Sequence, residues 1–249
     1  MWSQEVMNLI DRVIPTGQPT TTVNPALNRL GFWSATMTAV FAAAFILIGI
    51  VTPAREIPYP YTDVAAFVPA DYFWQYPAFL LAPTFVVLMA CINAYADYDK
   101  KVFSQIGLSL AIIYAATIMI NYFLQLTVVE ASLLNGETAG LSLITQYNPH
   151  GIFIALEDLA YLTLSGALLF AAAVFAGDRI ARAVRWLFVI DFIVAVGAFT
   201  IFIPLGFGLV TFEVTAITIT CIVLVIGGIL LSVLFKRTDT KNPAAGISS

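Results

Sequence analysis

Residues 177–205 read GDRIARAVRWLFVIDFIVAVGAFTIFIPL, three arginines and then an apolar run from Trp186 to about Leu205. A run of about 18–20 apolar residues crosses a hydrocarbon core of roughly 30 Å at about 1.5 Å per residue, and as a helix it satisfies its own backbone there. Basic residues gathered at one end fix the orientation, because Lys and Arg in short connections stay on the cytoplasmic side. Pro204 predicts a kink or an early stop near the far end, since proline removes a backbone donor.

Working outward from this segment, five more runs have the same character: Gly31 to Val51, Tyr76 to about Ala96, Val102 to about Leu126, a stretch within Gly151 to Ala176, and Val214 to Phe235. The chain is therefore expected to be an all-α polytopic membrane protein, a six-helix transmembrane bundle. With the N-terminus inside, ten of the eleven Lys and Arg residues fall on the inner side and only Arg55 is left outside. Both termini are thus predicted to be cytoplasmic, in a cell inner or plasma membrane. Residues 1–30 form a cytoplasmic segment, 31–235 the transmembrane domain, and 236–249 a cytoplasmic tail. Over 249 residues the chain is 60% hydrophobic and 10% charged, with a mean hydropathy of +0.92, too apolar for a soluble globular domain.

The acids distribute oppositely. Glu56, Asp63, Asp71, Glu130, Glu137, Glu157, Asp158 and Glu213 fall outside against one base, a net −7, while the inner side is +3. Such a face either attracts cations and basic partners or simply solvates loops. Two outer connections are long, 52–75 and 127–150. The first carries Tyr59, Tyr61, Phe67, Tyr72, Phe73 and Trp74, which suits either an aromatic belt along the membrane or a lid over an outward-opening pocket. The long loops occupy non-equivalent places in the two halves, which weakens a transporter built from inverted repeats.

Residues 2–14 place Trp2, Val6, Leu9, Ile10 and Val13 at helical spacing, a candidate interfacial helix, and Pro15 to Asn28 reads as an irregular linker. No cleavable signal peptide is visible, so the first span is expected to serve for insertion. Cys91 and Cys221 sit inside apolar runs, where small packed residues are expected rather than a disulfide.

One histidine and two separated cysteines cannot build a His/Cys zinc site, a bis-histidine haem or an iron–sulfur cluster, so no metal and no cofactor is expected. Phosphate-loop and hydrolase motifs are absent, and bases only flank helices, which argues against nucleic acid. The expected partners are membrane lipids and, in one reading, other membrane subunits. Gly228 and Ser232 form a small-xxx-small pair that would mark close packing of the sixth helix.

The richest polar region spans the end of the third helix and the start of the fourth. Asn148 before Pro149 predicts an N-cap with proline at the first helical position. On that count His150, Glu157 and Tyr161 share one helical stripe and Asp158 turns about 100° away, while Asn121 and Gln125 form a stripe on the third helix. Facing each other, these stripes would make a ligand pocket. Depth counting from Lys101 and Asp178 puts the cluster at the outer interface, where an acid costs little. The other intramembrane acid, Asp191, lies about 9 Å beyond Arg185 and is expected either to handle protons or cations, or to pair with Asn93 or a snorkelling base.

Residues 134–162, LNGETAGLSLITQYNPHGIFIALEDLAYL, resemble a segment of small, uncharacterised six-span membrane proteins of prokaryotes, with Asn148, Pro149, His150, Gly151, Glu157 and Asp158 carrying the match. The resemblance covers about helices two to five. It implies a prokaryotic membrane protein and no activity. Three functions stay open on sequence: a pocket for a small amphipathic or cationic ligand or lipid, in which any acid–base pair would be Glu157 and His150; a non-catalytic subunit of a larger complex; and a transporter or channel using Asp191.

Overall fold

The computed structural model describes residues 25–52, 55, 57–61, 64–202, 204–205 and 208–240. The interfacial helix expected at 2–14, together with Arg12, Glu56, Asp63 and Lys241, lies outside the described residues. Those residues are mostly helical, and no strand occurs among them. Six helices are long and apolar enough to cross a membrane.

Helix α1 spans Pro25–Val51, so it begins six residues before the expected Gly31 and absorbs the end of the expected linker. Helix α2 spans Gln75–Tyr95 and accommodates Pro83 on an exposed face. Helix α3 spans Lys101–Leu124. It does not stop there as expected, but runs on through a π turn, Gln125–Val129, and a last helical stretch, Glu130–Leu134. Helix α4 spans Ile152–Ala172 and α5 spans Arg179–Phe202, ending two residues short of Pro204. Helix α6 spans Gly208–Thr240, six residues earlier and five later than its expected bounds.

The turn between α4 and α5 shows how local chemistry closes the bundle. Gly177 takes φ +112°, a conformation that side chains other than hydrogen rarely adopt. Asp178 then accepts a hydrogen bond from the Ala181 N–H at 2.8 Å, an N-cap for α5.

Consecutive helices pack as neighbours, and α6 returns to lie against both α1 and α4. Helix α4 sits among α3, α5 and α6. Its span is 56% buried against 28% for α5, so α4 carries its polar residues into protein rather than toward lipid. Small residues set the closest crossing. A Cβ on Gly228 would stand 2.7 Å from the Ala35 carbonyl oxygen and 3.0 Å from Ala39 Cβ, and this is where the expected small-residue face of α6 meets α1.

The connections 52–74 and 135–151 fold together into a cap over one end of the bundle. Tyr61, Val64, Val68 and Tyr72 pack against Val129 and Leu133 from the α3 extension and against Leu141 and Tyr147. The aromatics of the first connection are therefore divided: Tyr61, Tyr72 and Trp74 are buried, Tyr59 and Phe73 exposed. Arg55 pairs with Asp71 at 3.2 Å and lies 4.3 Å from the Phe67 ring centroid.

Candidate functional site

Asn121, Gln125, Glu157, Asp158 and Tyr161 are all buried, and α3 meets α4 through Asn121 and Tyr122, which bond to Phe153 and Glu157. His150 does not join them. Helix α4 starts at Ile152, with Gly151 as an extended N-cap, three residues later than the Asn–Pro signal suggests. Asn148 instead builds a turn, accepting the His150 backbone N–H on Oδ1 at 3.0 Å while its amide donates to the Ser142 carbonyl. His150 thus precedes the helix with its side chain exposed, and the stripe linking it to Glu157 and Tyr161 does not form.

The two amides have backbone partners. Asn121 Nδ2 donates to the Phe153 carbonyl at 3.0 Å and so ties α3 to α4. Gln125 Nε2 donates to the Ile144 carbonyl, and Gln125 Oε1 accepts the Gln146 N–H at 3.2 Å. Gln146 continues the chain of bonds, accepting from Gln75 Nε2 at 2.9 Å and donating to the Asp71 carbonyl at 3.3 Å. Tyr147 donates its hydroxyl to Asp71 Oδ2 at 3.4 Å. Burial and then the adjacent Asp71 carboxylate push the Tyr147 phenol up from its ordinary range, so it keeps that proton.

Glu157 and Asp158, which depth counting puts at the outer interface, are enclosed in protein. They are 1% and 4% exposed, Glu157 being covered by Tyr122 of α3 and Glu213 of α6. Tyr122 donates its hydroxyl to Glu157 Oε1, whereas Glu157 Oε2 and both Asp158 oxygens have no hydrogen-bond partner. A third acid joins them. Glu213, expected in the connection before the sixth helix, stands inside α6, and its carboxyl adjoins that of Glu157.

The two glutamates lie in the wall of a cavity of about 390 Å³. Its other walls are mostly apolar, Phe45, Ile46, Gly49 and Ile50 from α1, Val214 and Ile217 from α6, and Trp74 at the α2 entrance, with two hydroxyl side chains, Thr52 and Thr218, among them. Ile50 of α1 and Val214 of α6 are 70% and 59% exposed, so the cavity is open to the surface. Trp74 is held edge-on to Tyr122, with ring centroids 5.6 Å apart, and tilted against Phe45 at 5.5 Å. Beyond Trp74 a cavity of about 30 Å³, room for one water, connects Glu213 with Arg55, Asp71 and Tyr147 of the cap. No group of three or more His, Cys, Asp or Glu side chains suited to a metal occurs among the described residues.

Asp191 belongs to a separate place. Asn93, its expected partner, accepts a hydrogen bond from Ser104 on Oδ1 at 2.8 Å and takes Lys101 Nζ on its carbonyl. Asp191 is instead fully buried among α4, α5 and α6, facing Ser165 and Thr220.

No family model matches the chain, and neither a curated protein nor a solved structure matches it. The resemblance of residues 134–162 to prokaryotic six-span proteins gains no support from these comparisons.

Proposed function

We propose that this protein binds an amphipathic cation, a molecule with an amine or ammonium head and an aliphatic body, within its membrane-spanning domain. The observation that carries the reading is the meeting of Glu157 and Glu213 in the wall of a mostly apolar cavity of about 390 Å³, a volume in the range of small-molecule sites. Two adjoining buried carboxyls repel each other when both are ionised, and a cationic head between them removes that repulsion while losing its own water. The Trp74 ring beside them adds an aromatic face for the same charge. The aliphatic body would lie against Phe45, Ile46 and Ile217, where each buried CH₂ contributes about 0.8 kcal/mol. Entry from the side, between α1 and α6, suits a ligand that first partitions into the bilayer.

Tritiated octylamine, with octanol as the uncharged control, tests this on protein in phosphatidylcholine nanodiscs. Octylamine should bind saturably and octanol at least tenfold more weakly, which corresponds to about 1.4 kcal/mol. Glu157→Gln and Glu213→Gln should each weaken octylamine at least tenfold. The glutamine at 157 can still accept from Tyr122, so folding should survive the change. Gly49→Phe should block binding by filling the cavity, since a Cβ at Gly49 meets nothing within 4 Å. Equal binding of amine and alcohol, or unaltered binding by both Gln variants, would refute the reading.

The same proposal sets the cap on the outside of a plasma membrane, with both termini in the cytoplasm. The Lys and Arg distribution supports it. In a background with Cys91 and Cys221 replaced by Ala, Ala139→Cys should react with a membrane-impermeant maleimide on intact cells, and Ala183→Cys only after lysis. Both positions are exposed. The opposite pattern would invert the orientation.

A further inference from the structure

Asp191 stands twelve residues into α5, about 18 Å from its start at Arg179 and near the middle of the helix. It is 0% exposed, as are Ser165 on α4 and Thr220 on α6. These two hydroxyls lie within hydrogen-bonding reach of the carboxylate, yet none of the four oxygens, Asp191 Oδ1 and Oδ2, Ser165 Oγ and Thr220 Oγ1, meets a partner in good hydrogen-bond geometry. The ion pairs found among the described residues, Arg55–Asp71 and Lys100–Asp97, do not reach it.

A carboxylate at this depth is costly unless something neutralises it. A proton on Asp191 would satisfy one of the four oxygens. A water could bridge them but would leave the charge. A small cation among the four satisfies all of them and brings the net charge to zero. The donors are oxygen only, the preference of hard cations, and a single carboxylate matches a single positive charge.

We propose that Asp191, Ser165 and Thr220 form a binding site for a monovalent hard cation, with sodium as the probe. Three helices supply one donor group each, so occupancy would clamp α4, α5 and α6 together. The facing titratable group is the Cys221 thiol on α6, with Tyr114, Tyr161 and Glu157 beyond it. Those groups also mark an approach. Ser165 lies eight residues from Glu157 along α4 and Thr220 seven from Glu213 along α6, roughly 12 and 10 Å. The buried hydroxyls of Tyr114 and Tyr161, likewise without hydrogen-bond partners, lie between. The site is independent of the amine cavity, so either proposal can fail alone.

Thermal unfolding of detergent-solubilised protein at constant pH and ionic strength tests it, comparing sodium, potassium and N-methylglucamine chlorides, with retention of radioactive sodium as a second readout. Sodium should raise Tm saturably by several degrees over N-methylglucamine, as a ligand binding only the folded state does, and about one sodium should be retained per chain. Asp191→Asn should abolish both responses. Thr220→Val and Ser165→Ala, which keep side-chain volume nearly constant, should weaken sodium at least tenfold. Equal Tm in the three salts with no retained sodium would overturn the site, as would an Asp191→Asn protein that still responds. Repeated at a lower fixed pH, stabilisation that is equal in all three salts would assign Asp191 a proton and also overturn it.

Discussion

Gly228→Leu should lower the stability of the bundle by about 2–4 kcal/mol, the range of severe overpacking. Even the first added carbon is refused: at 2.7 Å from the Ala35 carbonyl oxygen, 3.0 Å from Ala39 Cβ and 3.2 Å from the Ala39 nitrogen, it meets mostly backbone, which has no rotamer to give way. Helices α1 and α6 would have to part along their closest line of contact. Gly31 is a contrast within the same interface, since a Cβ there meets only the Phe235 ring at 2.7 Å. Gly228→Ala should already destabilise by more than about 1 kcal/mol, whereas Gly49→Ala should be neutral or stabilising by up to about 1 kcal/mol through helix propensity. Unfolding in mixed micelles measures all three. A Gly228→Ala protein as stable as the parent would mean that α1 and α6 do not cross there.

That crossing also explains the cavity. From Ala35 to Gly49 along α1, and from Gly228 back to Val214 along α6, the count is fourteen residues, roughly 21 Å on each helix. The two helices are pinned where alanines meet glycine, and at the other end larger side chains, Phe45, Ile46, Ile50 and Ile217, line the cavity between them. Forcing them apart at Gly228 should therefore reshape the amine cavity at the other end, and octylamine binding should fall with stability.

The number of spans was legible because hydropathy and length decide it: every expected run became a helix. Helix neighbours and the enclosure of helix ends were not legible, and those govern the site. The expected third run ends at about Leu126, short of Glu130, and the sixth begins just after Glu213, because a charged residue ordinarily marks the interface. In the fold Val129 and Leu133 of the α3 extension pack into the cap, so α3 extends to Leu134, and α6 starts at Gly208, before Glu213. Glu213 was missed for this reason alone. A signal did exist, since Glu213, Ala216 and Thr220 recur at helical spacing on one face of α6. His150 failed in the opposite direction. Asn148 followed by Pro149 is a sound helix start, but the Asn148 side chain also makes a turn with the His150 N–H. A Cβ at Gly151 would lie 3.0 Å from the Asn148 and Leu143 carbonyl oxygens. The turn took the residues that the helix signal claimed.

Gln125→Leu should release the cap. This side chain is 1% exposed at the start of the π turn and satisfies two backbone groups of the second connection, the Ile144 carbonyl and the Gln146 N–H. Leucine nearly matches its size and offers neither bond. Each buried backbone group left unpaired costs about 1–3 kcal/mol, so a loss of about 2–5 kcal/mol is expected. The loss should be local. Gln146 connects onward to Gln75 and Asp71, and Asp71 to Arg55 and Tyr147, so amides of 141–148 and 70–75 should exchange hydrogen faster while those of α1 and α6 near Gly228 keep their protection. Asn135→Ala, which removes an exposed side-chain bond to the Ala131 carbonyl, should change neither. Faster exchange throughout the protein would show that Gln125 holds the bundle rather than the cap. With the cap loosened, water would reach Glu213 through the small cavity it shares with Gln146 and Tyr147. The preference for octylamine over octanol should then narrow, because a hydrated carboxyl pair gains less from a cation than a dry one.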